Sequence, residues 1–305
     1  MAEESIKLKE KYPSRALLII NPVSGKKLIL RHIPTVVREL MDKGYLVTTM
    51  ITAFRREATE FAAQYGRDYD LICCTGGDGT LNETLSGLAR EGIDVPLGYI
   101  PCGSTNDFAS THDLATDIEK AAKNMAAGRC RRYDIGRFGS YYFSYVAAFG
   151  AFSWLSYTTD QNLKNVLGHT AYILDAITST YKIKPIHVKF VADGRVYEDD
   201  YIFGAICNST RIAGTIDLPA SVVQTNDGVF EVLLVKMPKT ITELDAIIRG
   251  VLAQDYSCPQ LDFFQARELD IHNPPDLEWA LDGECAVGDD EVHFSVVPGF
   301  LNLQG

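Results

Sequence analysis

The sequence predicts an α/β amino-terminal domain built on a parallel sheet, residues 1–132, followed by a mainly antiparallel, sandwich-like β domain, residues 133–305. Three observations predict it. Up to Arg132, short β-rich runs alternate with helical apolar patterns, the signature of a parallel sheet covered by helices. After Arg132, strand-like runs follow one another with turn signals between them. A chain of 305 residues also exceeds what one hydrophobic core usually serves.

The elements can be justified in order. Arg15 to Asn21, Tyr45 to Thr52, Asp70 to Thr75 and Pro96 to Ile100 are rich in Ile, Leu, Val and Tyr and end in turn formers, so they read as strands. Between them, Ile29, Ile33, Val36, Val37 and Leu40 recur at helical spacing, as do Ala58, Phe61, Ala62 and Tyr65; each set lays one apolar stripe on the sheet. Asp117 to Ala127 reads as a further helix, with Gly128 as its stop. In the second domain Ile186 to Ala192 and Arg195 to Asp199 flank Asp193-Gly194, a pair suited to the left-handed positions of a two-residue hairpin turn. Similar turns recur at Asn226-Asp227-Gly228 and Asp282-Gly283, and helical patterns near Gly168 to Tyr181 and Thr242 to Ala253 interrupt the antiparallel reading.

Composition bounds the partners. Hydrophobic residues make up 46% and charged residues 23%, ordinary for a packed enzyme and unlike a disordered chain. A formal net charge of -11 repels nucleic acid phosphates at long range, so nucleic acid is not an expected partner. The seven cysteines lack CxxC or metal-like spacing and read as reduced, mostly buried thiols. Met1 to Arg15 lacks an apolar run of the secretory type, which points to a cytoplasmic address. The most apolar stretch, Tyr141 to Tyr157, is too short and interrupted to cross a bilayer, so membrane contact is expected to be peripheral.

The strongest local feature is Thr75-Gly76-Gly77-Asp78-Gly79-Thr80-Leu81-Asn82-Glu83, which follows a strand run and opens a helical one. Ligands of open α/β sheets sit beyond the carboxyl ends of strands, and a glycine-rich loop entering a helix offers N–H groups to phosphate oxygens. The plain alternative is a tight strand-to-helix turn. The loop is neither a Walker A sequence nor GxGxxG. Two more polar, glycine-bearing loops follow strand runs: Asn21-Pro22-Val23-Ser24-Gly25-Lys26-Lys27 and Pro101-Cys102-Gly103-Ser104-Thr105-Asn106-Asp107. Each alone reads as a turn; three on one sheet edge converge on one crevice.

At these loops the sequence resembles the diacylglycerol kinase catalytic family, which includes bacterial lipid kinases and sphingosine kinases. Gly76 to Glu83 matches the GGDGTxNE core, Asn21 to Gly25 matches the NPxSG loop, and the PxGTxND loop departs only at Ser104, which keeps a hydroxyl. The resemblance continues through Tyr133-Asp134-Ile135-Gly136, Asn226-Asp227-Gly228 and Leu281-Asp282-Gly283-Glu284, and so spans most of the chain.

The resemblance implies a kinase that moves the γ-phosphate of ATP, with Mg²⁺, onto a hydroxyl of diacylglycerol or a related lipid. It implies an ATP site lined by Asn21, Pro22, Ser24, Gly25, Lys26, Gly76, Gly77, Asp78, Gly79, Thr80, Asn82, Glu83, Gly103, Ser104, Asn106 and Asp107, with Asp78 close to the phosphates and Asp107 and Asp134 in support. Asp282 corresponds to the family's catalytic base, which accepts the proton of the attacking hydroxyl, and Glu284 would orient the metal or the base. Without the resemblance, Asp282-Gly283 is a hairpin turn. A structural Mg²⁺ is implied at Asp227, with the carbonyls of Gln224 and Val229. Arg129, Arg131 and Arg132, with Lys182 and Lys184, form basic clusters that could face a membrane or simply be solvated. The rival readings are a NAD kinase-like phosphotransferase with a soluble acceptor, and a nucleotide-binding regulator that transfers nothing. Asn82-Glu83 and Asn106-Asp107 favour the lipid branch over the first, and Asp282 with Glu284 speaks against the second. A homodimer is the default expectation on symmetry statistics alone.

Overall fold

The computed structural model describes residues 11–24, 29–103, 106–150, 184–212, 216–287 and 289–305. The chain divides into two compact units. The first comprises Met1–Ile135, Tyr142–Ser144 and Pro298–Gly305; the second comprises Gly136–Tyr141 and Tyr145–Val297.

The first unit is α/β, as its alternating pattern predicts. Strand β1 (Ser14–Ile20), helix α1 (Ile29–Asp42), β2 (Tyr45–Ile51), α2 (Glu57–Tyr65), β3 (Leu71–Gly76), α3 (Asp78–Arg90), β4 (Leu97–Pro101), α4 (Asp107–Thr111) and α5 (Ile118–Ala126) follow in sequence. The strands pair in parallel in the order β4, β3, β1, β2. Ala16 to Ile20 and Leu71 to Cys74 are completely buried, because a parallel strand covered by helices on both faces needs apolar residues at every position. Strand β2 is the edge, with Leu46 and Ile51 half-exposed. One face packs Leu18, Ile20, Cys73 and Ile100 under Ile29, Val36 and Leu40 of α1 and Ala122 and Met125 of α5. On α3, Leu81, Leu85 and Leu88 are buried, and Gly87 lets α2 approach: a Cβ there would lie 2.3 Å from the Thr59 carbonyl oxygen.

The second unit is antiparallel. After β5 (Cys130–Phe138) and β6 (Tyr141–Phe143) come β7 (Val146–Gly150), β8 (Ile186–Ala192), β9 (Arg195–Cys207), the short ladder β10 (Arg211–Ile212) with β11 (Ile216–Asp217), β12 (Phe230–Lys236), α6 (Ile241–Ala253), β13 (Leu261–Ala266), β14 (Glu268–His272), β15 (Glu278–Leu281), β16 (Glu284–Val287) and β17 (Glu291–Gln304). The long strand β9 pairs β8 along its first half and both β7 and β12 along its second. β15 joins β7 to β16. Trp279 packs on Phe138 and Phe149 at ring-centre distances of 4.6 and 4.8 Å, forming the aromatic centre of this core. Residues 298–304 of β17 belong to the first unit, where Leu303 pairs in parallel with Leu97 of β4.

The hairpin at Asp193-Gly194 forms as expected, both residues having positive φ, and so does the one at Asp282-Gly283. Asn226 to Gly228 instead enters β12 from an irregular segment. The helical pattern near Gly168 to Tyr181 lies outside the described residues. The cysteines are free, but only Cys73, Cys74 and Cys207 are buried, while Cys130 and Cys285 are exposed, which corrects the expectation of mostly buried thiols. No helix among the described residues is long and apolar enough to cross a membrane.

Candidate active site

In the first unit the loops after β1, β3 and β4 are tied to one another. The Asn21 backbone N–H donates to the Thr75 carbonyl at 3.0 Å, and its side-chain Nδ2 donates to Thr80 Oγ1 at 2.9 Å, joining the first loop to the second. Asn21 Oδ1 also accepts from the Val23 N–H at 3.1 Å, which sets the turn through Pro22 toward Ser24. The second loop meets the third through backbone. Cys102 N–H donates to the Gly76 carbonyl at 2.7 Å, and a Cβ on Gly103 would stand 2.6 Å from the Gly77 Cα, so the two chains touch where only glycine fits. Asn106, with φ of 54°, brackets Gly103: its Oδ1 accepts from the Gly103 N–H at 2.8 Å and its Nδ2 donates to the Gly103 carbonyl at 3.1 Å.

Asp78 opens α3 and closes the arrangement. Its Oδ2 accepts from the Asp107 N–H at 3.1 Å and its Oδ1 from the Phe108 N–H at 3.2 Å, so one carboxylate caps the first turn of α4. Burial raises the Asp78 pKa above the usual carboxylate range; the two N–H groups oppose that shift and the nearby Asp107 charge reinforces it. Asp107 is buried, and Asp134 accepts from the Gly299 N–H at 2.6 Å. Within α3, Thr80 N–H returns to the Gly77 carbonyl at 3.0 Å, with Gly79 in the first turn. Asn82 Nδ2 donates to the Tyr142 carbonyl at 3.0 Å, and Glu83 Oε1 accepts from the Arg56 N–H at 2.8 Å. Gly25, Lys26 and Ser104 lie outside the described residues. Sequence reading missed Tyr99, which looked like one more apolar strand residue; its hydroxyl donates to the Gly76 carbonyl at 3.3 Å.

In the second unit Asp282 is 2% exposed, at the first position of the β15–β16 turn with φ of 49°. Its Oδ1 accepts from the backbone N–H groups of Tyr145 and Val146, both at 3.0 Å, and its own N–H donates to the Val146 carbonyl at 2.9 Å. A carboxylate is thus held in a turn by backbone from an adjoining strand. Glu284 starts β16, paired with Leu281.

Asp227 is exposed, and its Oδ1 accepts from the Val229 N–H at 3.2 Å; Gln224 is exposed as well. Nearby Glu231, absent from the sequence-based candidates, is completely buried. Its Oε1 accepts from Gln265 Nε2 at 2.9 Å, while Oε2 has no hydrogen-bond partner. Burial pushes this carboxyl up to about 7, with the Asp227 charge adding to the rise. Its place in the run Phe230 to Lys236 reads as one outward polar residue, so no sequence signal marks it. No group of three or more His, Cys, Asp or Glu side chains suited to a metal occurs among the described residues.

Comparison with known proteins places this geometry in a family. Residues 15–138 match the family model of the diacylglycerol kinase catalytic domain, and residues 149–305 that of the YegS C-terminal NAD kinase beta sandwich-like domain. A diacylglycerol kinase of Staphylococcus saprophyticus is 30% identical over 95% of this chain and 93% of its own length. The chain belongs to the diacylglycerol kinase family. A diacylglycerol kinase of Bacillus subtilis is 29% identical over the same shares, 95% and 93%. The crystal structure of a diacylglycerol kinase from Bacillus anthracis superposes with a TM-score of 0.75 at 25% identity, covering 95% of this chain and 96% of that one. Membership in the diacylglycerol kinase family makes the chain an ATP-using kinase with an alcohol acceptor, and both parts of the predicted fold class agree with it.

Proposed function

We propose that this kinase transfers the γ-phosphoryl group of ATP to a hydroxyl of diacylglycerol or a closely related lipid, with the loops after β1, β3 and β4 holding the triphosphate. The observation that supports this most is the backbone contact of Gly77 with Gly103, reinforced by Asn21 on Thr80 and by Asp78 on α4. Glycines in contact leave no side chain between the loops and a phosphate, and the start of α3 adds N–H groups and a favourable dipole.

Asp78 fixes the third loop against the second and keeps negative charge beside the phosphates, an arrangement that calls for a cation. Mg²⁺ would supply neutralisation of the phosphate oxygens during transfer. Asp282 acts as general base. An alcohol is a weak nucleophile at neutral pH, and a carboxylate fixed by two N–H groups can take its proton as the bond to phosphorus forms. Glu284, two residues on, keeps further negative charge near that base. A structural Mg²⁺ at Asp227 with the Gln224 and Val229 carbonyls fits the donor chemistry, since the second oxygen of buried Glu231 lacks a partner and a hard cation would provide one.

The test is transfer of label from γ-labelled ATP to diacylglycerol, monoacylglycerol, phosphatidylglycerol, a sphingoid base and NAD. Label in a lipid from native protein and none from Asp282→Asn is the expected result; label in NAD alone, or unchanged transfer by the variant, overturns it. The variant is a fair one, because Asn keeps an Oδ1 acceptor for both N–H groups and tolerates the left-handed backbone of this turn.

A further inference from the structure

Residues 142–146 run between two anchors. At one end the Tyr142 carbonyl accepts from Asn82 Nδ2 of α3 at 3.0 Å, and the Ser86 hydroxyl, one helical turn further on, reaches the same oxygen at 3.4 Å. Ser86 Oγ also lies 3.5 Å from Asn82 Oδ1, so the two side chains brace each other. At the other end the Tyr145 and Val146 N–H groups both donate to Asp282 Oδ1 at 3.0 Å. Their carbonyls are engaged as well, Tyr145 with the Asn208 N–H and Val146 with the Asp282 N–H, both at 2.9 Å. Each anchor lies within its own unit, and the chain passes from the first unit to the second between Ser144 and Tyr145. Only Phe143 and Ser144 separate the held residues, and both are buried, so the segment has no loose residue to absorb a shift.

We infer that Asn82, braced by Ser86, is a positioning residue for phosphoryl transfer: it fixes the strap 142–146, whose backbone N–H groups hold the Asp282 carboxylate. The inference rests on the reading of Asp282 as general base and adds to it the side chain that sets where the base is held. Asn82 belongs to the glycine-loop motif, which implied a nucleotide contact, yet it is buried and its amide is turned to the strap. Asp78, Asn82 and Ser86 recur every four residues and so share one face of α3. One helix therefore carries both the carboxylate that ties the second loop to α4 and the amide that ties down the strap. A carboxylate gripped through one oxygen by two adjacent N–H groups follows those groups when they move. Proton abstraction needs a heavy-atom separation of about 2.6–3.2 Å, and a misplacement of about 1 Å costs about a hundredfold in rate. Without Asn82 the Tyr142 carbonyl keeps only the Ser86 hydroxyl, whose 3.4 Å reach is long for a hydroxyl donor. Asn82 is the anchor and Ser86 the brace.

The experiment uses the full chain and compares Asn82→Ala, Ser86→Ala and Ser86→Thr with the native protein. Calorimetric titration with Mg²⁺ and a non-hydrolysable ATP analogue gives affinity and the number of competent sites. Single-turnover transfer from γ-labelled ATP to diacylglycerol in detergent micelles then gives a rate per competent site, free of losses to misfolding. Asn82→Ala should keep the analogue's affinity within about twofold and lose at least tenfold in that rate. Ser86→Ala should lose less, and Ser86→Thr, which keeps the hydroxyl, should stay near native. Hydrogen exchange of the Tyr145 and Val146 amides should accelerate in Asn82→Ala while that of the buried strand Leu17 to Ile20 does not. Asn82→Leu, close in shape and without a donor, replaces Asn82→Ala if the latter does not fold, with the same expected results. Weakened analogue binding with an unchanged rate makes Asn82 a nucleotide contact and overturns the inference. An unchanged rate at unchanged affinity overturns it as well, as does a slowed rate with both amides still protected. Failure of the base reading shows separately, as unchanged transfer by Asp282→Asn, and removes the positioning role whatever the amides report.

Discussion

Replacing Gly103 with alanine inserts one methyl group into the contact between the second and third loops. The new Cβ would stand 2.6 Å from the Gly77 Cα and 2.8 Å from Asn106 Oδ1. Backbone on one side and a doubly hydrogen-bonded amide on the other leave no flexible side chain to yield, so the loops must part by about 1 Å, at a cost typical of overpacking, about 1–3 kcal/mol. The same misfit falls on the nucleotide. If binding bears about 1.4 kcal/mol of it, affinity drops tenfold. Gly77→Ala is the milder case, because its Cβ would lie 3.3 Å from the Gly103 Cα. Gly194→Ala is the control: nothing lies within 4 Å of its Cβ and its φ is +78°, so it carries backbone strain without collision. Melting temperature and calorimetric ATP binding should rank the variants, with Gly103→Ala worst in both and Gly194→Ala altered in melting alone. Native-like ATP affinity in a folded Gly103→Ala protein would refute the claim that these loops meet to hold phosphate.

Other outcomes follow from particular residues. Asp282→Ala should lose about 1–3 kcal/mol of stability to chemical denaturation, because it leaves the Tyr145 and Val146 N–H groups unpaired, whereas Asp282→Asn should stay near the native value. His112 is lowered from 6.5 to about 4, so its contribution is complete above pH 6.5 and is lost as pH falls toward 4. His112→Gln should therefore lose less stability on acidification than the native chain, by up to about 3 kcal/mol at pH 4. Glu231 is raised from 4.5 to about 7, so its burial costs nothing at low pH and is felt as pH rises from 4.5 through 7. Metal-free Glu231→Gln should gain stability at pH 8, and should lose the stabilisation that Mg²⁺ gives the native protein. Chelation with EDTA should abolish phosphoryl transfer, and added Mg²⁺ should restore it.

Much of the first unit is legible in the sequence because its strands are buried on both faces: Ala16 to Ile20 can be little else than a central parallel strand. Glycine-bearing loops at strand ends are equally visible. What links them is not. The Gly77–Gly103 contact depends on the register that sets β3 beside β4, and the hold of Asp78 on α4 joins residues 29 and 30 positions apart. Charge runs mislead in the same way: Arg132 looks like part of a basic cluster, yet it is bound to Asp94 at 3.0 Å and to the Gly299 carbonyl at 3.0 Å. Glu231 hides for the opposite reason, since one polar residue in a strand normally faces solvent and this one is completely covered. The partner of a buried or charged side chain is a property of three dimensions, and a linear pattern records only its periodicity.

The return of residues 298–304 to pair with β4 has a consequence for biosynthesis. A ribosome that has finished residue 135 has made the four parallel strands, but not the segment that lies along Leu97, nor the Gln304 amide that donates to the Met125 carbonyl at 2.8 Å. Until more than half of the chain has followed, the outer edge of β4 is an open hydrogen-bonding template exposed to other nascent chains. Cutting the gene at the apparent change of texture would make that transient hazard permanent.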